Sequence, residues 1–166
     1  MKSRFFYLFC VFLALITLCG CSFSNSGESL EAFSRRMNSL NENYNTDSDG
    51  YIVDSTQKTF TKFYKFSEKE IMLKFKYDSK NRLTQMHIVF DPAGLEESDE
   101  SFAFISDCIV CFCQNESISR EILGMADFDG VIKTVRNETT DTEVGNIKME
   151  IDSTRLGTVI SLYKDI

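Results

Sequence analysis

The chain has 166 residues, a formal net charge of −7 and 43% hydrophobic residues. The acidic balance argues against a nucleic acid partner, because a phosphate backbone requires a basic protein surface. The apolar content, which includes 15 phenylalanines, is too high for a disordered chain, and the length allows one ordinary domain or two small halves.

Residues 1–20 have the layout of a secretory signal peptide. Lys2 and Arg4 form a short positive region, residues 5–18 are apolar, and small residues follow. The apolar run is shorter than the roughly 20 residues that a membrane-spanning helix needs. The pattern therefore predicts export from the cytoplasm and cleavage of this segment.

The residues that end this segment specify how the cleaved chain is held. The sequence LCGC at 18–21 resembles the lipobox of bacterial lipoproteins, in which a leucine lies three residues before the modified cysteine. This resemblance implies cleavage before Cys21 and lipidation of Cys21, with palmitate-like acyl chains holding the protein on the extracytoplasmic side of the cell membrane. Ser22 favours the outer membrane in a cell that has one. No resemblance to a known family extends beyond this motif.

Cleavage before Cys21 defines the predicted domain organisation. It removes Lys2 and Arg4, so the formal net charge changes from −7 to −9. Residues 21–29 include SFSNSGES, which is typical of a flexible tether. We predict a single α+β domain over 30–166, and halves at 30–91 and 98–166 are its natural subdivisions.

The first half predicts a helix followed by strands. Leu30, Phe33, Met37 and Leu40 recur at helical spacing, which predicts an amphipathic helix within 28–44. After a turn cluster come three runs with the composition of strands: KTFTKFYKF, EIMLKFKYD and RLTQMHIVF. The turn-forming residues DSKNR separate the last two runs, so these two are predicted to form a hairpin.

The second half predicts helices followed by a second hairpin. After a linker at 91–101, the run FAFISDCIVCFCQN is apolar on nearly every side and predicts a buried central helix. A shorter helix is predicted around ISREILGMA. The chain closes with NIKMEIDSTRLGTVISLYKD, a predicted hairpin with Ile147, Met149 and Ile151 inward. The expected fold class is α+β, an antiparallel sheet of hairpins with helices packed on one face.

Two short matches relate the halves to each other. The sequence DSDGYI at 47–52 matches DFDGVI at 127–132, and YDSKNRLT at 77–84 matches IDSTRLGT at 151–158. A tandem helix-plus-hairpin duplication would produce such matches. Turn chemistry alone would also place Asp, Ser and Gly at these positions, and both explanations stay open.

The turn cluster at 45–56 is a candidate calcium site. The side chains of Asn45, Asp47 and Asp49 and the carbonyl of Tyr51 have the spacing that begins an EF-hand loop. The twelfth position is Thr56, where a bidentate glutamate belongs, and a strand follows instead of a helix. A solvated turn is the plainer interpretation, and a weak calcium-dependent module is the alternative.

Three cysteines, Cys108, Cys111 and Cys113, lie in the predicted central helix. Cys108 and Cys111 share one helix face with Cβ atoms about 5 to 6 Å apart, which is longer than a disulfide accepts. A zinc site would need a fourth ligand, and the single histidine, His87, lies on a strand without a ligand partner at hand. Core packing is the favoured role, with a Cys108–Cys111 redox pair or a metal as alternatives.

Lysines alternate with aromatic residues in the first two predicted strands. Phe60, Lys62, Tyr64 and Phe66 fall on one face, and Phe63 and Lys65 fall on the other. One face must be core, so the other is a basic solvent-exposed surface that suits an anionic partner, such as lipid headgroups or an envelope polymer, or a protein. Catalytic motifs are lacking and no cofactor is predicted. The sequence favours a non-catalytic, membrane-anchored binding module over an enzyme.

Overall fold

The computed structural model describes residues 28–91, 100–125, 138–154 and 157–165. These residues form helices α1 (Leu30–Leu40), α2 (Glu100–Cys113) and α3 (Glu116–Met125). The strands, β1 to β7, are Ile52–Asp54, Thr59–Phe66, Lys69–Tyr77, Leu83–Phe90, Glu138–Val144, Ile147–Thr154 and Gly157–Lys164. Among these elements, no helix is long and apolar enough to cross a membrane.

All seven strands belong to one antiparallel sheet in the order β1-β2-β3-β4-β7-β6-β5. Strands β1 to β4 form one meander and β5 to β7 form a second. The last strand of each meander pairs with the other, with Ile88 opposite Ile160. The prediction of an α+β fold with an antiparallel sheet of hairpins is confirmed.

Helix α1 begins where the sequence provides a cap and ends earlier than predicted. The Ser29 hydroxyl accepts a hydrogen bond from the Ala32 amide at 3.2 Å, and Phe33 and Met37 are fully buried. Asn41 is extended and its side chain accepts from the Asn43 amide, so the chain leaves the helix at Leu40. Leu40, predicted on the apolar face, is 53% exposed.

The sheet has an inner face, which packs against the helices, and an open face on the other side. On β3, Ile71, Leu73 and Phe75 are buried, as their alternation predicted. The predicted inward residues of β6, among them Met149, are buried as well. Helix α2 completes this core, with the Phe104 ring centroid 4.7 Å from that of Tyr64.

The topology also bears on the proposed duplication. In each half, helices precede a meander whose last strand lies at the β4–β7 seam. The matched segments 77–84 and 151–158 span the connection before that last strand in both halves. The other match, DFDGVI at 127–132, lies outside the described residues. The two halves thus share the order of helix and meander, but the first has one α-helix and four strands and the second has two α-helices and three strands among the described residues, so both explanations stay open.

Candidate functional site

The predicted sites fall in three separate parts of the protein. Cys21, the predicted lipidation site, lies outside the described residues. The cysteines lie in helix α2, in the core. The aspartate-rich turn lies between α1 and β1, and His87 lies on the open face of β4. The structure therefore does not bring the thiols, the carboxylates and the imidazole together.

The three described cysteines have the surroundings of core residues. Cys108 is fully buried, Cys111 and Cys113 are nearly so, and all three are free thiols. Burial raises the pKa of Cys111 to about 11 and that of Cys113 to about 12, and it raises the pKa of Cys108 well above its usual range. Reactive cysteines have a lowered pKa and access to solvent, so this environment suits packing and opposes redox exchange.

The aspartate-rich turn lies around the ammonium group of Lys62. The Lys62 ammonium donates hydrogen bonds to the carbonyl of Asn45 at 2.7 Å and to that of Asp47 at 3.3 Å. It also lies 5.3 Å from the ring centroids of both Tyr51 and Tyr64. Its charge and donors take the place that a metal ion would have among these oxygens.

The neighbouring contacts hold the turn around Lys62. Asn38 donates to the Asp47 carboxylate at 3.1 Å, which occupies one of the predicted calcium ligands. A Cβ atom added at Gly50 would lie 2.6 Å from the Lys62 ammonium, so this glycine leaves room for the lysine. Across residues 28–91, 100–125, 138–154 and 157–165, no group of three or more His, Cys, Asp or Glu is placed to hold a metal. Two backbone carbonyls of the predicted loop, those of Asn45 and Asp47, thus bind a lysine, while the side chains of Asn45 and Asp49 are not among its partners.

The open face is built from three rows of side chains that cross the sheet. The apolar row contains Phe63, Met72, Val89 and Val159. The middle row contains Thr61, Lys74, His87, Ser161 and Glu150. The third row contains Thr59, Lys76, Gln85, Tyr163 and Lys148.

A cavity of about 400 Å³ opens between the middle and third rows. We call it the basic pocket, and it is lined by Gln57, Thr59, Lys74, Lys76, Gln85 and His87. Every lining group is either a cation or a side chain that can donate a hydrogen bond, once a suitable tautomer of His87 is chosen. This composition suits an anion with several acceptor oxygens.

The charges of the basic pocket are not neutralised by any residue that the structure describes. Neither Lys74 nor Lys76 forms an ion pair within the described part of the chain. On the neighbouring strands, by contrast, Lys148 pairs with Glu150 at 2.7 Å, and Tyr163 donates to the same carboxylate at 3.1 Å. Lys74 and Lys76 on β3 therefore keep their charges without an ion-pair partner among the described residues, whereas Lys148 on β6 is neutralised by Glu150.

The pKa of His87 depends on the charges that line this pocket. Its Nδ1 lies 2.8 Å from the Ser161 hydroxyl, within hydrogen-bonding distance. Burial lowers the pKa of His87, and the positive charges of Lys74 and Lys76 lower it further, while Glu150 acts in the opposite sense. The imidazole is consequently neutral at neutral pH, and an anion placed beside the two lysines would favour its protonation.

Sequence reasoning identified a basic strand surface but assigned its residues incompletely. Lys62, which belongs to the lysine-aromatic alternation, points to the inner side and serves the turn. Lys74 and His87 are 13 positions apart and meet only because the β3–β4 register pairs them. Comparison of the chain with protein-family models, with curated proteins and with solved structures found no match.

Proposed function

We propose that this chain is a lipid-anchored, non-catalytic binding module of the cell envelope, and that the basic pocket on its open face binds an anionic ligand. The lipobox at 18–21 supports the anchor, because acylation of Cys21 gives durable attachment without a spanning helix. The pocket supports the binding role. The protein then acts outside the cytoplasm, held to a membrane by lipid, and needs no cofactor.

The observation that carries the binding role is that two neighbouring lysines on β3 have no ion-pair partner among the described residues. Lys74 and Lys76 are two positions apart on one strand face, so their backbones are about 7 Å apart. Two unit charges at that distance repel by about 0.6 kcal/mol in water and by about 2 kcal/mol at the effective dielectric of a protein surface. An anion bound between them converts this repulsion into attraction.

The alternative functions have less support. A thiol redox protein needs an accessible thiolate, and burial keeps Cys108 and Cys111 protonated. A calcium-dependent module needs vacant oxygen ligands, and the Lys62 ammonium takes two carbonyls of the predicted loop. These contacts favour the binding role over both alternatives.

The anchor is tested by labelling cells with a radioactive or clickable fatty acid. The full chain should incorporate label and be shortened at its N-terminus. Cys21→Ala should incorporate none and stay uncleaved, because the lipoprotein signal peptidase acts on the lipid-modified cysteine. A labelled Cys21→Ala protein would contradict the anchor.

The binding role is tested with polyphosphate as a simple anionic probe. Full-length protein in maltoside micelles should bind it with an affinity that falls as salt is added. Lys76→Gln should weaken binding about tenfold, since a hydrogen bond to a charged group contributes roughly 1.5 kcal/mol. Lys65→Gln removes the same charge from an exposed open-face position outside the pocket and serves as the matched control. Equal affinities for the two variants would refute the assignment of the pocket.

A further inference from the structure

The point at which the tether joins the domain is fixed to one end of the sheet. The Glu28 carbonyl accepts a hydrogen bond from the Leu83 amide at 2.7 Å, at the start of β4. The Glu28 carboxylate forms an ion pair with Arg36 on α1 and is attracted by Lys164, the last residue of β7. We call this end of the sheet, where β4 begins and β7 ends, the tether-side end.

The predicted tether is short. Seven Cα-to-Cα steps separate Cys21 from Glu28, and at full extension they span about 24 Å. If Cys21 is acylated, the tether-side end cannot be farther than this from the membrane surface. A tether this short keeps the tether-side end of the sheet near the lipid headgroups.

Lysines gather at this same end. Lys76 is opposite Gln85, which lies two residues after Leu83, so the basic pocket is close to the attachment point of Glu28. Lys58, before β2, and Lys80, in the β3–β4 turn, are exposed there as well. None of these lysines forms an ion pair with any residue that the structure describes. At the far end of β3, the exposed Glu70 lies opposite the exposed Lys65 of β2.

The lysines also lie on one side of the sheet. Strands β2 and β3 carry five lysines, of which Lys62 points to the inner face, and one acidic residue, whereas β5 and β6 carry five acidic residues and one lysine. An anionic membrane attracts the first side and repels the second, so the field defines an orientation as well as an attraction. A soluble envelope polymer would not require the lysines to lie near the tether.

We infer that the basic pocket and the tether-side lysines bind the phosphate groups of anionic phospholipids in the membrane that holds Cys21, so that the tether-side end of the open face is held against that membrane. This inference rests on the proposed function and names its ligand. Each lysine close to an anionic surface strengthens binding about fivefold, and a lipid chain combined with a basic patch is a known two-signal anchor. The far end of the sheet and the acidic β5–β6 side then face away from the lipid.

The single histidine allows a direct test by NMR without resonance assignment. The charged and titratable groups around the His87 ring are Lys74, Lys76, Glu150 and Tyr163, with Ser161 hydrogen bonded to it. Bound phosphate next to the lysines favours the imidazolium form. Full-length protein is placed in nanodiscs of phosphatidylcholine alone, or of an equal mixture with phosphatidylglycerol, and the His87 C2 proton is titrated with pH.

The expected result is an upward shift of the His87 pKa in the anionic nanodiscs relative to the neutral ones. The double variant Lys74→Gln/Lys76→Gln should lose most of the shift, whereas Lys65→Gln should keep it. A general surface potential would act on His87 in all three proteins, so a shift that survives in the double variant would overturn the inference.

A parallel titration separates this inference from the proposed function. Polyphosphate is added to the same protein in maltoside micelles. If polyphosphate raises the His87 pKa but the two nanodiscs give equal values, membrane binding is wrong and anion binding stands. If neither polyphosphate nor phosphatidylglycerol changes the pKa, both proposals are wrong.

Discussion

The two faces of the sheet are made from the same strands and have opposite properties. On β4, Ile88 is fully buried against the helices, and its neighbour Val89 lies on the open face. On β3, the side chain of Phe75 lies in the core, whereas those of its sequence neighbours Lys74 and Lys76 lie on the open face. Adjacent positions of one strand thus lie in the core in one case and on the open face in the other.

The polar groups of the two faces differ in the same way. On the inner face, polar atoms find partners within the protein, such as the Tyr51 and Tyr64 hydroxyls at 2.9 Å and the Ser153 and Thr158 hydroxyls at 3.0 Å. On the open face, Lys74 and Lys76 find no acidic partner in the described ranges. The inner-face hydroxyl groups named here are thus paired within the protein, whereas Lys74 and Lys76 on the open face have no acidic partner among the described residues.

The largest expected effect comes from deleting side-chain volume on the inner face. Ile88→Ala should lower the free energy of unfolding by about 3 kcal/mol, because it leaves a cavity among fully buried neighbours. Val89→Thr, one position away, should cost less than about 1 kcal/mol. Urea denaturation of the two variants measures the difference, and equal losses would show that the open face is packed like the core.

A smaller effect is expected at Cys108. Cys108→Ala should cost about 1 kcal/mol, and Cys108→Ser should cost about 1 to 3 kcal/mol more because a buried hydroxyl without a partner is added. Ellman's reagent should react slowly with the native thiols and rapidly in urea. Stoichiometric zinc in the purified protein, or a reversible Cys108–Cys111 disulfide, would contradict the packing role.

Removal of the cation from the aspartate-rich turn should cost less than Cys108→Ser. Lys62→Met should lower the free energy of unfolding by about 1 kcal/mol, because two turn carbonyls lose a charged donor. Lys65→Met, on the same strand but exposed, is the control and should be neutral. The measurement is again urea denaturation.

The same turn gives a calcium prediction. Millimolar calcium should not change the melting temperature of the parent protein, since the ammonium occupies the carbonyls, and Asp49→Asn should behave like the parent. A ligand that prefers the folded state would raise the melting temperature in proportion to ln(1 + [L]/Kd). A calcium-dependent rise that disappears in Asp49→Asn would restore the metal site.

The smallest expected effect on stability belongs to the basic pocket itself. Lys76→Gln should change the free energy of unfolding by no more than about 0.5 kcal/mol at neutral pH. The variant should instead change how the free energy of unfolding depends on pH. His87 has a lower pKa in the folded chain than when unfolded, so stability falls as pH drops below 6.5, where the unfolded chain binds the proton more readily. Lys76→Gln should raise the pKa of His87 and weaken this loss, as measured by unfolding at neutral and mildly acidic pH.

The sequence predicted most of the elements but missed two edge strands. Alternating apolar residues identified β3, β4 and β6, since their inner positions are buried and their outer positions are not. Strand β5 reads ETTDTEV and has one apolar residue, Val144, so no alternation is visible. Strand β1 has three residues inside a turn cluster. Both lie at sheet edges, where pairing on one side suffices and the residues need little burial.

The candidate site was predictable only in its composition. The lysine-aromatic alternation indicated a basic face, but it could not tell that Lys62 turns inward to the aspartate-rich turn. The pairing of Lys74 with His87, and of Gln85 with Tyr163, depends on strand register across a bulge at Lys76 and Tyr77 and across the β4–β7 seam. Register of this kind is set by tertiary pairing, which a single sequence does not display.

The β4–β7 seam has a consequence for how the chain folds. Each meander closes through short hairpin connections, so both can form from local contacts at an early stage. The seam joins Phe90 to Thr158, 68 positions later. Closure of such a large loop is slow. Until β7 pairs with it, β4 has an unpaired hydrophobic edge. The incompletely folded protein is therefore the aggregation-prone species. Deletion of residues 157–166, which removes β7, should trap this species.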